Sequence, residues 1–181
     1  MEPSVYIILL NWNGVEDTRE CLDSLKKIKY ENYNIIVVDN NSSGNDVKVI
    51  EEQFGDFIHK IIINDSNLGF SGGNNVGIKY AVENNADYVL LLNNDTVVEP
   101  DFLNKMIAKE SLDEKMGIIT PMITYYSDRN KIWSAGGEIS KIRASGFTFG
   151  YNEYSKNHNY DKLCTFASGC CMSVSYTHLT L

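Results

Sequence analysis

Over the first 120 positions, apolar residues fall in short continuous runs separated by stretches of helical period. Val5-Tyr6-Ile7-Ile8-Leu9-Leu10 is a run of strand length with no polar interruption, the pattern of a strand buried on both faces. Val15, Thr18, Leu22 and Leu25 follow at helical spacing, with Glu16 and Asp17 at the start and Lys26, Lys27 and Lys29 near the end, as the helix dipole favours. Ile35-Ile36-Val37-Val38 predicts a second strand. Val47, Ile50 and Phe54 predict a second helix, with Gly55 as its C-terminal stop. Residues 58–63 hold a third strand. A glycine-rich loop over 69–73 then leads into a helix carrying Val76, Tyr80 and Ala81. Residues 88–92 are a fourth strand. Pro100 opens a helix with Phe102, Leu103, Met106 and Ile107 on its apolar side, and 116–120 is a short fifth strand. This β-α-β-α-β order predicts an α/β domain: a mainly parallel sheet with right-handed crossovers and helices on both faces, ligands sitting at the carboxyl ends of the strands.

After Pro121 the helical period fades. Gly, Ser, Tyr and Phe interleave from 133 to 160, which predicts hairpins or a loop-rich extension. The stretch 175–181 shows no amphipathic pattern and is expected to be a truncated or non-native tail.

At 181 residues the chain can bury one sizeable core. A formal charge of −8 argues against a nucleic-acid binder, which needs a basic face, but admits a phosphorylated small ligand if a metal cation or helix N-termini offset the repulsion. Cys21, Cys164, Cys170 and Cys171 show no C-x-x-C spacing and read as reduced thiols in a cytoplasmic protein, although the adjacent pair Cys170-Cys171 leaves a redox role open. The run over 5–10 is too short for a signal peptide or a membrane span, so any membrane contact is expected to be peripheral or through sequence outside this chain.

Polar residues cluster where the strands end. Asn11-Trp12-Asn13 follows the first, Asp39-Asn40-Asn41 the second, Asp65-Ser66-Asn67 the third and Asn93-Asn94-Asp95 the fourth. Asp39 is placed to accept hydrogen bonds from a nucleobase imide or a ribose hydroxyl; it could equally close an Asx turn onto Ser42. The stretch 67–75 holds three glycines and three asparagines, more than a turn requires, and its N–H groups at a helix start suit a diphosphate or sugar hydroxyl. It is neither a P-loop nor a G-x-G-x-x-G fingerprint. Asp95, with Asn93 as a neutral or water-mediated partner, could give Mg²⁺ or Mn²⁺ one hard carboxylate, the rest of the shell coming from phosphates and water; a turn cap is the alternative. Trp133, beside Gly136-Gly137, could form a flat platform for a sugar or simply pack in the core.

Taken in order, these segments resemble the family 2 glycosyltransferases, and in particular rhamnosyltransferase-like bacterial and archaeal members. The matching residues are 10–14, Thr18 with Cys21, Leu22 and Leu25, 37–42, 67–75, 92–96 and 133–137. The resemblance implies a Rossmann-like three-layer α/β/α nucleotide-diphospho-sugar transferase fold, incomplete at the C-terminus. It implies one domain over 1–174, with a nucleotide-sugar-binding half over 1–120 and the start of an acceptor-side half over 121–174. By position, Asn11, Asn13, Asp39, Asn67, Gly69, Asn74 and Asn94 would serve the donor. Trp133, Gly136, Gly137 and Gly169 would lie on the acceptor side, and Asp95 with Asn93 would hold Mg²⁺ or Mn²⁺. Asp95 matches the last carboxylate of the family's Asp-x-Asp motif, and Asn93 stands where the first Asp often is.

The implied reaction is inverting transfer of a sugar from a nucleotide-diphosphate donor to a saccharide or lipid-linked acceptor in surface polysaccharide synthesis, in the cytoplasm or at the inner face of the membrane. The family's catalytic base falls in an acidic segment downstream of Ser168-Gly169-Cys170, where this chain has no matching residue, so the base is expected beyond the chain end and the fragment is expected to be impaired. Two rivals stay open: a non-catalytic nucleotide- or sugar-binding module, and a sugar nucleotidyltransferase. The second would need a Gly-rich loop with Arg and Lys after the first strand, which Asn11-Trp12-Asn13-Gly14 is not.

Overall fold

The computed structural model describes residues 2–110, 116–140, 142, 145–158 and 160–179. The apolar runs form the predicted strands: β1 (Val5–Asn11), β2 (Tyr33–Asp39), β3 (Lys60–Ile63) and β4 (Tyr88–Asn93). They alternate with α1 (Val15–Leu25), α2 (Asp46–Phe54) and α3 (Gly69–Glu83), and α4 (Phe102–Glu110) follows β4. Then come β5 (Ile118–Ile119), the pair β6 (Ile123–Thr124) and β7 (Ile132–Ser134), the hairpin β8 (Gly137–Ser140) and β9 (Ser145–Thr148), and finally β10 (Cys171–Ser175). Six strands make one sheet in the order β3-β2-β1-β4-β10-β5. The first four are parallel. β10 runs antiparallel between β4 and β5.

Alternation along the strands builds three layers. Val5, Ile7, Leu9, Ile35, Val37, Leu90 and Leu92 face α1, α2 and α4, whose Leu22, Leu25, Ile50, Phe54, Leu103 and Met106 complete that core. Tyr6, Ile8, Ile36, Val38, Val89 and Leu91 face α3 through Ile78 and Ala81. The parallel register sets Asn11 opposite Asp39, Asp39 opposite Ile63 and Leu10 opposite Asn93. All four strands therefore end on one rim. Because β10 is antiparallel and pairs Cys171 with Leu92, it delivers its amino end, and residues 168–170, to the same rim.

Several expectations need correction. The glycine-rich stretch is not a loop: helix α3 begins at Gly69. Glycine reads as a helix breaker, yet here it lets the helix approach the sheet. A β-carbon on Gly77 would come within 2.7 Å of Ile8 Cγ2, and one on Gly73 would collide with Leu10 Cδ1. Gly55 does follow the last residue of α2, but it is right-handed (φ −53°), so it is no left-handed cap. Helix α4 starts two residues after Pro100, whose carbonyl instead accepts from the Lys29 N–H at 2.8 Å. β10 has no counterpart among the predicted strands. In the expected tail, Tyr176 N–H donates to Asp87 O at 3.1 Å and Leu179 packs on the α3-side core; residues 180 and 181 lie outside the described residues.

Glu110, at the end of α4, is buried beneath β10. Ser173 Oγ donates to its Oε2 at 2.8 Å, while Oε1 is buried without a partner among the described residues. Burial pushes its carboxyl up to about 7 from 4.5, against the opposing effect of the Ser173 hydrogen bond. A folded-state pKa above the unfolded one means the native protein binds more protons between those values. Stability is then full below about pH 4.5 and falls as pH rises to about 7, by roughly 3 kcal/mol. Glu110→Gln is expected to flatten this slope and to be more stable than the wild type at pH 8. Urea unfolding of both proteins at pH 5 and pH 8 checks this, and parallel slopes would contradict it.

Candidate functional site

The rim is built on Asn11, the last residue of β1, which is fully buried. Its Nδ2 donates to Asp39 Oδ1 (2.8 Å) and Asp46 Oδ2 (3.0 Å), with Ser42 Oγ at 3.1 Å. Its Oδ1 accepts from Thr18 Oγ1 at 2.8 Å. Asp39 also accepts from the Ser42 backbone N–H (2.9 Å) and the Ser42 hydroxyl (2.6 Å). The Asx-turn role is thus present in the structure, and Oδ2 of this buried carboxylate accepts one hydrogen bond among the described residues, fewer than its lone pairs allow. Asn13 takes left-handed backbone (φ 52°), which asparagine tolerates, and its Oδ1 accepts from Ser43 N–H and Oγ at 2.8 and 3.0 Å. It fastens the β1 turn to the β2 turn.

Asn40 is a hub that sequence reasoning missed. Only 2% exposed, it donates through Nδ2 to Asn67 Oδ1 (2.8 Å) and Gly69 O (3.3 Å). Its Oδ1 accepts from Asn64 Nδ2 (3.1 Å) and Leu68 N–H (3.0 Å). One amide thereby sets the path of the chain into α3. Nothing in the Asp39-Asn40-Asn41 string distinguishes Asn40 from its neighbour; only the fold turns one inward. Asn67 Oδ1 accepts in addition from Gly69 N–H at 2.8 Å, and Gly69 adopts φ +69°. Asn74 is buried and donates to Phe70 O within its own helix, so its observed work is internal. Gly169 lies against Phe70: a β-carbon there would sit 3.2 Å from the ring. The glycine segment and the start of α3 are therefore neighbours.

On the other side of the rim opens a cavity of about 450 Å³. Asn93, Asp95 and Cys170 line it together with Tyr125, Tyr126 and Trp133 from the β6–β7 region. Tyr126 Oη donates to Glu20 Oε1 at 2.6 Å, and Arg129 lies 3.8 Å from Glu99, tying that region across to α1 and to the turn after β4. Asp95 is exposed, and among the described residues no group hydrogen-bonds or ion-pairs with its carboxylate. The structure thus brings together Asn93, Asp95 and Trp133. It leaves Gly136 and Gly137 outside the cavity: Gly136 makes the β7–β8 turn with φ +73°, and Gly137 pairs with Thr148 and Phe166. Asn94 does not line it either; its Nδ2 donates to Thr18 Oγ1 (2.9 Å) and lies 3.4 Å from Gly14 O.

The cysteines are free, and Cys21 and Cys171 are buried. Burial pushes the thiols of Cys21, Cys170 and Cys171 up, and the nearby Asp95 charge adds to this for Cys21 and Cys170. None is poised as a thiolate nucleophile. Among the described residues, no three His, Cys, Asp or Glu side chains converge into a cluster able to hold a metal. Of the two carboxylates among the described residues that line the cavity, Glu99 pairs with Arg129 and Asp95 has no partner. One such carboxylate is the donor set of a Mg²⁺-type site completed by ligand phosphates and water, and not of a closed protein cage.

A profile described as glycosyl transferase family 2 matches residues 4–179. The chain belongs to this family. Poly-beta-1,6-N-acetyl-D-glucosamine synthases are similar to it: that of Staphylococcus aureus strain COL is 31% identical over 118 residues, and that of Staphylococcus epidermidis 28% over 116. Each match takes in 64% of this chain and 27% of the relative, so the match spans about a quarter of those enzymes. Among solved structures, the Pyrobaculum calidifontis mannosyltransferase PcManGT in complex with GDP-Man and Mn²⁺ aligns with a TM-score of 0.61 at 18% identity, over 71% of this chain and 38% of that one. S. aureus TarS in complex with UDP-GlcNAc aligns at 0.57 and 21%, over 69% and 37%. These likenesses agree with the α/β/α nucleotide-diphospho-sugar transferase fold.

Replacing Asn40 by Ala removes a buried hub and strands Asn67 and Asn64 without their partner. The expected loss of stability is about 2–4 kcal/mol. Chemical denaturation measures it, and a change within about 0.5 kcal/mol, as at an ordinary surface position, would show that the hub is dispensable.

Proposed function

We propose that this chain is the donor-binding part of an inverting glycosyltransferase that takes a nucleotide-diphosphate sugar with Mg²⁺ or Mn²⁺. The observation that carries the reading is Asp95. It is a carboxylate with no partner among the described residues, at the carboxyl end of a parallel strand, on the mouth of a cavity. Open α/β sheets bind ligands at that end. Asn93 lines the same cavity with a side-chain amide that no described group hydrogen-bonds. When bound, the cation would offset the charge gathering on the departing diphosphate.

Asp39, with acceptor capacity left on Oδ2, reads the base or ribose. Asn11 and Asn13 hold the turns beside it, and Asn67, Gly69 and Asn74 shape the entry to α3 on the donor side. In the lining of the same cavity, Trp133 offers an exposed indole to a saccharide or lipid-linked acceptor, and Gly169 borders the passage between donor and acceptor. Gly136 and Gly137 place Trp133 indirectly, through the turn that follows it. The acceptor hydroxyl needs a base to take its proton as the new bond forms.

The surface-polysaccharide role follows the synthases it resembles. With it goes a cytoplasmic location, at the inner membrane face for a lipid-linked acceptor. Among the described residues no helix is long and apolar enough to cross a membrane.

Calorimetry with UDP, dTDP and GDP, each with Mn²⁺ or with EDTA, tests the reading. The native chain is expected to bind at least one nucleotide more tightly with Mn²⁺. Asp95→Ala is expected to lose that gain, about ten-fold in affinity, the equivalent of one charge-assisted contact. Nucleotide binding indifferent to both Mn²⁺ and the substitution would refute the metal role.

A further inference from the structure

Thr18 has no role in the donor site just described, yet it is fully buried at its centre. Its hydroxyl donates to Asn11 Oδ1 (2.8 Å) and accepts from Asn94 Nδ2 (2.9 Å). We infer that Thr18 is a positioning residue that fixes the orientation of Asn94, and with it the metal-side turn, from the nucleotide-side carboxylate Asp39. The inference rests on the donor-site reading above.

The argument is one of hydrogen-bond polarity. Asp39 and Asp46, as carboxylates, only accept. Asn11 must therefore turn its NH₂ toward them, at 2.8 and 3.0 Å, and its carbonyl toward α1. That carbonyl takes the single Thr18 proton. The Thr18 oxygen is then left as an acceptor, so Asn94 must present its NH₂. The amide carbonyl of Asn94 is left at the opposite end, and no described group donates to it. An amide oxygen and the Asp95 carboxylate thus stand on successive residues of the turn, both without partners among the described residues. Each step admits one orientation only.

A second feature supports the arrangement. Gly14 closes the pocket around the Asn94 amide: a β-carbon there would lie 3.0 Å from Asn94 Nδ2. Its φ of −132° is not in the left-handed region, so a larger residue here would act by pressing on the Asn94 amide and not through backbone strain. The same contact holds Asn94 Nδ2 near Gly14 O. The relay runs from the end of β2, through the end of β1 and the first turn of α1, to the turn after β4.

The test separates positioning from plain stability. UDP affinity, with GDP as a second probe, is measured by calorimetry with Mn²⁺ and with EDTA for the native chain, Thr18→Val, Thr18→Ser and Asn94→Ala. Valine keeps the shape of threonine and removes both hydrogen bonds. Thr18→Val is expected to weaken binding about ten-fold in Mn²⁺ and to leave it unchanged in EDTA, the affinity equivalent of one misplaced contact. Thr18→Ser restores the native ratio. A Thr18→Val chain that keeps the native Mn²⁺ ratio, or that loses the same factor with and without Mn²⁺, overturns the inference. If Thr18→Val does not fold, Asn94→Ala decides: loss of the Mn²⁺ gain alone supports the relay, and an unchanged ratio overturns it. A native chain with no Mn²⁺ gain is a different failure. It sinks the metal reading of Asp95 itself, and is seen before any variant is made.

Discussion

The rim of this domain depends on one buried amide. Asn11 ends β1 with no exposure to solvent and bridges two carboxylates, Asp39 and Asp46, that are themselves buried. Burying charge is costly unless it is hydrogen-bonded, and a half-satisfied polar network is worse than an apolar one. Here the demand is met without a cation. Asp39 takes three hydrogen bonds, and Ser42 Oγ donates one while accepting from Asn13 N–H at 2.9 Å and from Asn11. With so many groups committed, the turns after β1 and β2 have little freedom to move independently. That rigidity is what a binding site needs from the residues behind it.

Two polar systems meet at this rim and divide the labour. The Asn11 system reaches through Thr18 to Asn94 and the turn after β4. The Asn40 system reaches through Asn67 and Leu68 to the start of α3. They join where the Asn40 N–H donates to Asn11 O at 2.8 Å. Between them they bring the donor-side segments to fixed positions. Among the described residues, the Asp95 carboxylate and the Asn93 amide line the cavity without hydrogen-bond partners. The apolar layers below serve this end by holding four strand ends level, and the small residues of α3 let that helix sit close on β1.

Much of the fold was legible because the runs over 5–10, 35–38 and 88–92 carry their own signal: β-branched and aliphatic residues without polar breaks, spaced by helical period. The glycines of α3 misled because local propensity counts a glycine as a break, while tertiary packing here rewards the missing side chain. β10 was invisible for a related reason. Cys-Met-Ser-Val-Ser is a weak strand by composition, and its buried Ser173 finds its hydrogen-bond acceptor in Glu110, 63 residues away. Among the candidate site residues, Asp95 and Trp133 share a cavity. Asn74, Asn94, Gly136 and Gly137 are occupied by turns and helix contacts, as their residue types equally allowed.

The sequence by itself determined the element order, the α/β class, the polar character of every strand end and the resemblance that the family match bears out. These are local properties, written in runs and spacings a few residues long. Only the tertiary structure decided which of those polar residues hold one another and which stay free. It made Asn40 a hub and left Asn41 at a turn, placed Thr18 between Asn11 and Asn94, and brought Trp133 and Asp95 to one cavity. Hydrogen-bond partnership over these separations depends on strand register and helix packing, which no stretch of sequence carries on its own.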